Sequence, residues 1–292
     1  MSLLPSKNRK ADILCNHAVY SRRNLEVVMP KDTYYVTILR HPMLNFESSF
    51  FYLEFPQICN ISGTNNHEKM RNFFQHPEVY LKRYLKKKGT EGRLIKNGMV
   101  FDLGLPFERT NDMDFVHEYI KRLEKEFDLV LIAENFDESL VMLKRDLCWS
   151  LEDITYFKLL ERKDEPKELP HDIFKSVLEW NQGDVLLYSY FSRKLNERLK
   201  KEGPDFHKEV EKLQQMNKHL KERCLLGTYH KRAFKTNVQV QEYKVNANLK
   251  GNERKDCCRM IRDEVNYIKY HRVKQNFKLK NRKRLLDNFD KC

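Results

Sequence analysis

The chain has 292 residues, with 55 Lys and Arg against 42 Asp and Glu, a formal charge of +13. Hydrophobic residues make up 40%, and glycine and proline number only nine each, a balance that can bury a core and excludes a disordered polymer. No uninterrupted apolar stretch of about 18 residues occurs, so no membrane-spanning helix is expected, and residues 1–7 lack the apolar centre of a signal peptide.

Residues 11–15 (ADILC) are a short apolar run that reads as a strand ahead of His17. Residues 33–39 (TYYVTIL) are dense in β-branched and aromatic side chains, which predicts a buried strand. Pro42 follows, and apolar residues then recur at helical spacing over 43–55; proline suits the first turn of a helix, where its missing N–H costs nothing. Residues 56–98 are polar, with KKKGTEGR near their end, and read as a surface excursion of the kind that carries substrate loops, or equally as an ordinary insertion. Over 111–127, Phe115, Tyr119, Leu123 and Phe127 share one helical face, with Asn111 expected as N-cap. Residues 127–133 (FDLVLIA) have the near-continuous apolar character of a strand covered on both faces, and 137–147 return to helical period.

Helix, strand and helix with short connections predict a parallel sheet. Beyond Ser150 no strand is expected. Residues 184–201 and 205–226 read as two charged amphipathic helices hinged at Gly203 and Pro204, so the expected fold is α/β followed by a helical C-terminal portion. Residues 251–292 carry a net charge of +7, densest from Arg272 to Arg284. With Tyr267, Tyr270 and Phe277 interleaved, this stretch could hold a polyanion. The plainer reading is a solvated, marginally helical extension; no nucleic-acid-binding signature accompanies it, and no nucleic-acid partner is expected.

Seven cysteines stand at irregular spacing, with no CxxC pair and no arrangement of zinc-finger type, so no metal site is expected. They read as buried thiols and, in an oxidising compartment, one or two disulfides. Asn60-Ile61-Ser62 is an N-glycosylation sequon.

The stretch richest in chemistry is ILRHPMLNFESSF, residues 38–50. A strand ends at Arg40, the chain turns through Pro42, and Ser48 follows about two turns into the helix. A guanidinium at a strand's carboxyl edge, beside a helix start and a hydroxyl, suits a phosphate, because it offers a two-pronged donor where ligands of parallel sheets gather. The plainer alternative is a surface arginine paired with Glu47. Glu134, at the end of the FDLVLIA strand, and Asp137 could face the same crevice and order a sugar hydroxyl or a basic side chain, although Asp137 suits a helix N-cap equally. Trp149, Trp180 and the cluster Phe50, Phe51, Tyr52 could stack on a sugar, and packing in the core is the commoner role for each.

Arg40, Pro42 and Ser48 resemble the 3′-phosphate-binding segment of sulfotransferases that use 3′-phosphoadenosine 5′-phosphosulfate. Several stretches together resemble the galactose-3-O-sulfotransferase family, to which galactosylceramide sulfotransferase belongs: ADILCNH (11–17), DTYYVTILRHP with ESSFFY (32–52), NGMVFDLGLP (97–106), the run FDLVLIAENF through FKLLER (127–162) and GDVLLYSYFSRKLNERL (183–199). The resemblance implies a parallel-sheet, P-loop-like core lacking its first βα unit, in a partial sulfotransferase domain over 1–226, with a basic extension over 227–292 that resembles nothing further. It implies Arg40 and Ser48 as ligands of the donor's 3′-phosphate and His17 as the base that takes the proton of a sugar hydroxyl. The implied donor is 3′-phosphoadenosine 5′-phosphosulfate, with no metal; the implied acceptor is the 3-hydroxyl of a galactose in a glycolipid or glycan, and the implied setting is the Golgi lumen. The family's phosphosulfate loop, a Gly-Ser-Ser turn with a lysine, is not in this sequence. The chain is therefore expected to start after that loop and after a membrane anchor, and to bind donor poorly as it stands. The alternative is a relative that binds glycans or polyanions without catalysis, through the basic tail.

Overall fold

The computed structural model describes residues 10–15, 17–159, 169–233 and 238–275. Of these, the residues within 4–143 and 166–203 form one compact unit and those within 144–165 and 204–292 another.

In the first unit the chain runs α1 (Arg22–Val28), β1 (Val36–Leu39), α2 (Pro42–Tyr52), α3 (Phe55–Cys59), α4 (Asn66–Gln75), α5 (Pro77–Lys88), α6 (Gly98–Asp102), α7 (Met113–Glu126), β2 (Leu129–Ile132) and α8 (Phe136–Asp146). It returns as α9 (His171–Trp180) and α10 (Gln182–Leu199). The two strands read from the sequence pair in parallel, from Val36 opposite Leu129 to Leu39 opposite Ile132, and all four residues of β2 are buried. The fold is mixed α/β, mostly helical with small sheets; among the described residues this parallel sheet has two strands.

Pro42 occupies the first turn of α2, as its fixed φ favours. The helix buries Phe46 and Phe50 in a cluster with Phe55, Met70, Phe73 and Tyr84. Phe55 and Tyr84 stack with ring centres 4.4 Å apart, and Phe50 meets Phe73 edge-on at 5.2 Å. Each such ring, fully removed from water, contributes about 1.5–3 kcal/mol.

This cluster corrects the reading of 56–98 as a surface excursion. The segment folds as α3, α4 and α5 and supplies Cys59, Ile61, Met70, Phe73, Leu81, Tyr84 and Ile95 to the core. Its average polarity comes from the outer faces of short helices, which hid a helical period on the inner ones. Lys87 and Arg83 at the end of α5 donate to the carbonyls of Ile58 and Cys59 at the end of α3, at 2.7 Å each, so even charged residues here hold the packing.

Two further expectations change. The run 11–15 forms no strand: Ile13 is 76% exposed, and the sheets of the described residues offer it no partner. The N-cap of α7 is Asp112, whose carboxylate accepts from Phe115 N–H at 3.1 Å, while Asn111 accepts from the Asn97 side chain at 3.2 Å.

The second unit contains α11 (Pro204–Cys224), β3 (Leu225–Arg232), β4 (Gln239–Val245), α12 (Gly251–Met260) and α13 (Glu264–Gln275). The expected break at Gly203 and Pro204 separates α10 from α11. The expectation of no strand beyond Ser150 is overturned by the antiparallel pair β3–β4, in register from Leu225 opposite Val245 to Arg232 opposite Gln239. β3 follows α11 without a breaking residue and is mostly exposed, so it shows no alternation; its conformation is set by pairing with β4, which buries Val240 and Tyr243. Leu226 lies within β3. Cys224 and Cys257 form a disulfide beside Phe157 and Tyr243, and Cys258 is disulfide-bonded as well. Lys144 and Arg145 converge on Glu209, at 3.0 and 3.3 Å. The densest basic run, beyond 275, lies outside the described residues.

Candidate functional site

The carboxyl ends of β1 and β2 build a hook. Leu39 is the last paired residue of β1, Arg40 follows it half-buried, and His41 and Pro42 turn the chain into α2. His41 Nδ1 accepts from Met43 N–H at 3.3 Å and caps the helix. Burial holds the His41 imidazole below its ordinary pKa, with Glu134 opposing, which suits a ring whose nitrogen must stay an acceptor. Ser48 is half-buried on the second turn of α2. Arg40 and Ser48 therefore belong to one strand–turn–helix hook, at the positive end of a helix dipole.

Across the strand pair, Glu134 stands in the 3-10 turn Ala133–Asn135 that follows β2. Its Oε1 accepts from His41 N–H at 2.8 Å and its Oε2 from the Tyr188 hydroxyl at 3.1 Å. Burial, with the Glu134 charge and hydrogen bond beside it, pushes the Tyr188 phenol up to about 12. The Tyr188 ring meets His41 edge-on, with centres 5.3 Å apart.

His17 belongs to a different segment and is exposed. Three residues on, Tyr20 N–H donates to the Asp102 carbonyl at 2.8 Å. The close approach needs Gly104, which has φ +90°; a Cβ there would lie 2.3 Å from the Tyr20 carbonyl oxygen. Burial raises the Asp102 carboxyl, and the nearby His17 charge opposes that rise.

A buried polar node carries the Asp102 turn. Asp184 of α10 accepts from Met99 and Val100 N–H at 3.1 and 2.9 Å, at the start of α6. Asn97 N–H donates to Asn181 Oδ1 at 2.8 Å, and Asn97 Nδ2 donates to the Thr110 carbonyl at 3.0 Å. Burial pushes Asp184 up to about 7 against these backbone hydrogen bonds. Asp184 and Tyr188 are one helical turn apart, so a single face of α10 reaches both the Asp102 turn and Glu134.

The sequence patterns point to the strand–turn–helix at Arg40 and to the His17 segment, and give no role to His41, Asp102, Asp184 or Tyr188. Asp184 was read as part of a charged amphipathic helix; the small neighbours Asn181 and Gly183 were the available sign of close backbone approach. Of the aromatic candidates, Phe50 is wholly buried and Trp180 donates Nε1–H to the Ile95 carbonyl at 2.9 Å, which assigns both to packing. Tyr52 and Trp149 are exposed.

Arg40 and Ser48 thus stand on one strand–turn–helix segment at the carboxyl edge of a parallel strand pair, in a mixed α/β protein. Comparison with known proteins makes that class specific. The family model described as Galactose-3-O-sulfotransferase matches residues 3–275, and the chain belongs to that family. It is 32% identical over 219 residues to galactosylceramide sulfotransferase of Mus musculus, covering 74% of this chain and 50% of that protein. Galactosylceramide sulfotransferase of Homo sapiens is 33% identical over 218 residues, with 74% and 50% covered. Galactose-3-O-sulfotransferase 2 of Mus musculus is 34% identical over 217 residues, with 73% and 53% covered. The chain thus spans about half the length of these relatives, and the family match runs past Leu226 to residue 275. No solved structure matches.

Proposed function

We propose that this chain carries the donor 3′-phosphate grip and the acceptor side of a carbohydrate sulfotransferase. The reaction moves a sulfuryl group from 3′-phosphoadenosine 5′-phosphosulfate to the 3-hydroxyl of a galactose in a glycolipid or glycan. The observation that carries this reading is the hook of Arg40 and Ser48 in a chain of the galactose-3-O-sulfotransferase family. The hook fits the 3′-phosphate end of that donor, since it combines a guanidinium, a hydroxyl and the positive end of α2. When bound, the donor supplies an activated sulfuryl group on a phosphate leaving group.

Arg40 and Ser48 hold the nucleotide by its ribose-borne phosphate and so fix its orientation. His17 takes the proton of the galactose hydroxyl, a group too weakly acidic to ionise at neutral pH; a positioned general base is worth about 10²–10⁴-fold.

The Golgi lumen is the setting that agrees with the disulfide Cys224–Cys257 and with the exposed sequon residue Asn60. No helix of the described residues is long and apolar enough to cross a membrane. Incubating a version of the protein that carries the phosphosulfate loop, produced in a secretory host, with labelled donor and a β-galactoside tests the reading. Label should appear on the galactose 3-hydroxyl and be lost in Arg40→Ala and His17→Ala. Transfer by either variant at the wild-type rate, with donor saturating, would refute the assignment.

A further inference from the structure

We propose that Glu134 is the positioning residue of the phosphate hook: its carboxylate ties the turn after β1 to the turn after β2 and to Tyr188 of α10, and so sets where Arg40 points. The proposal rests on the reading that Arg40 holds the 3′-phosphate.

Arg40 lies between two fixed points. On one side Leu39 is locked in the ladder opposite Ile132. On the other, the His41 N–H is held by Glu134 Oε1 at 2.8 Å. His41 and Glu134 each stand two residues beyond the paired ends of their strands, so the carboxylate spans the sheet edge at the level of the turn. Pro42 has no N–H to contribute, and the Met43 N–H is already taken by the His41 ring. The His41 carbonyl is tied to the Asn45 N–H at 2.9 Å within α2, and the hydrogen bond to Glu134 ties the His41 N–H across the sheet edge.

The second oxygen is engaged too, by the Tyr188 hydroxyl at 3.1 Å, while the Tyr188 ring packs edge-on against His41. With one donor on each oxygen, the carboxylate is fixed in place between the turn and α10. Because α10 also holds the Asp102 turn through Asp184, the same helix relates the hook to the His17 segment.

The test measures the affinities of 3′-phosphoadenosine 5′-phosphate and adenosine 5′-phosphate for the wild type, Arg40→Ala, Glu134→Ala, Glu134→Gln and Tyr188→Phe. The ratio of the two affinities isolates recognition of the 3′-phosphate from general damage to the fold. Glu134→Ala should cut this preference about tenfold, the scale of one hydrogen bond to a charged group. Glu134→Gln, which still offers an acceptor to His41 N–H, should restore the preference, and Tyr188→Phe should lower it by a smaller factor. If Arg40→Ala loses the preference and Glu134→Ala keeps it, the positioning role is wrong while the phosphate grip stands. If Glu134→Ala weakens both ligands equally, or Gln behaves as Ala does, the positioning role is also overturned. If the wild type shows no preference, or Arg40→Ala retains it, the phosphate grip itself fails.

Discussion

Two buried regions of the first unit are held by different physics. The aromatic cluster behind α2 is held by area: Phe50, Phe55 and Phe73 are wholly buried and touch one another through ring faces and edges. The node of Asn97, Asn181 and Asp184 is held by directed hydrogen bonds, each between named donors and acceptors. Non-directional packing tolerates another apolar residue of similar size, whereas a hydrogen-bonded node tolerates no change of chemistry. The difference matters for function because α2, which carries Ser48, is anchored by its packed Phe46 and Phe50, while Asp184 and Tyr188 of α10 hold the turns that bear Asp102 and Glu134.

The sharpest way to break this comparison is to open the aromatic cluster. Phe73→Ala should cost about 3–5 kcal/mol in denaturant unfolding, and Phe73→Leu far less. Asp184→Ala strands the Met99 and Val100 N–H groups and should cost about 2–4 kcal/mol. Asp184→Leu should fare no better than Ala, in contrast to the leucine at Phe73. A rescue of Asp184 by leucine would show that the node is ordinary packing.

A pH series sharpens the same contrast. Asp184 is pushed up to about 7 in the fold, whereas a free aspartate titrates near 4. Between those values the folded chain keeps a proton that the unfolded chain gives up. The Asp184 contribution is therefore full below about pH 4 and lost as pH rises through about 7. Asp184→Asn should remove that slope from the stability profile, and Phe73→Leu should leave it in place.

The smallest effect is expected at the hook. His41→Ala removes the cap on Met43 and should cost about 1 kcal/mol. Since the folded His41 pKa lies below the unfolded one, the wild-type contribution is present above about pH 6.5 and lost as pH falls through the lower folded value. Thermal unfolding of the variant across pH 5–8 should show a shallower decline on the acid side than the wild type.

Much of the hook was legible in the sequence because its signals are local. TYYVTIL reads as a strand from its side chains alone, Pro42 fixes where α2 starts, and the near-continuous apolar run before Glu134 marks β2. The rest of the site was not legible because it depends on contacts across long sequence separations. His41 and Glu134 are brought together by the parallel pairing of β1 and β2, and Asp184 reaches α6 across 84 residues. The need for Gly104 likewise comes from a distant segment, since the Tyr20 carbonyl packs against it. The hairpin β3–β4 was hidden for the opposite reason: its first strand carries almost no buried side chains, so nothing in its own pattern announces it.

The most direct test of the account is a calorimetric cycle that deletes Arg40 on the protein and the 3′-phosphate on the ligand. The account predicts that Arg40→Ala weakens 3′-phosphoadenosine 5′-phosphate by at least about tenfold, as loss of a charge-assisted contact implies, and leaves adenosine 5′-phosphate unchanged. Equal losses for the two nucleotides, or none for either, would contradict it.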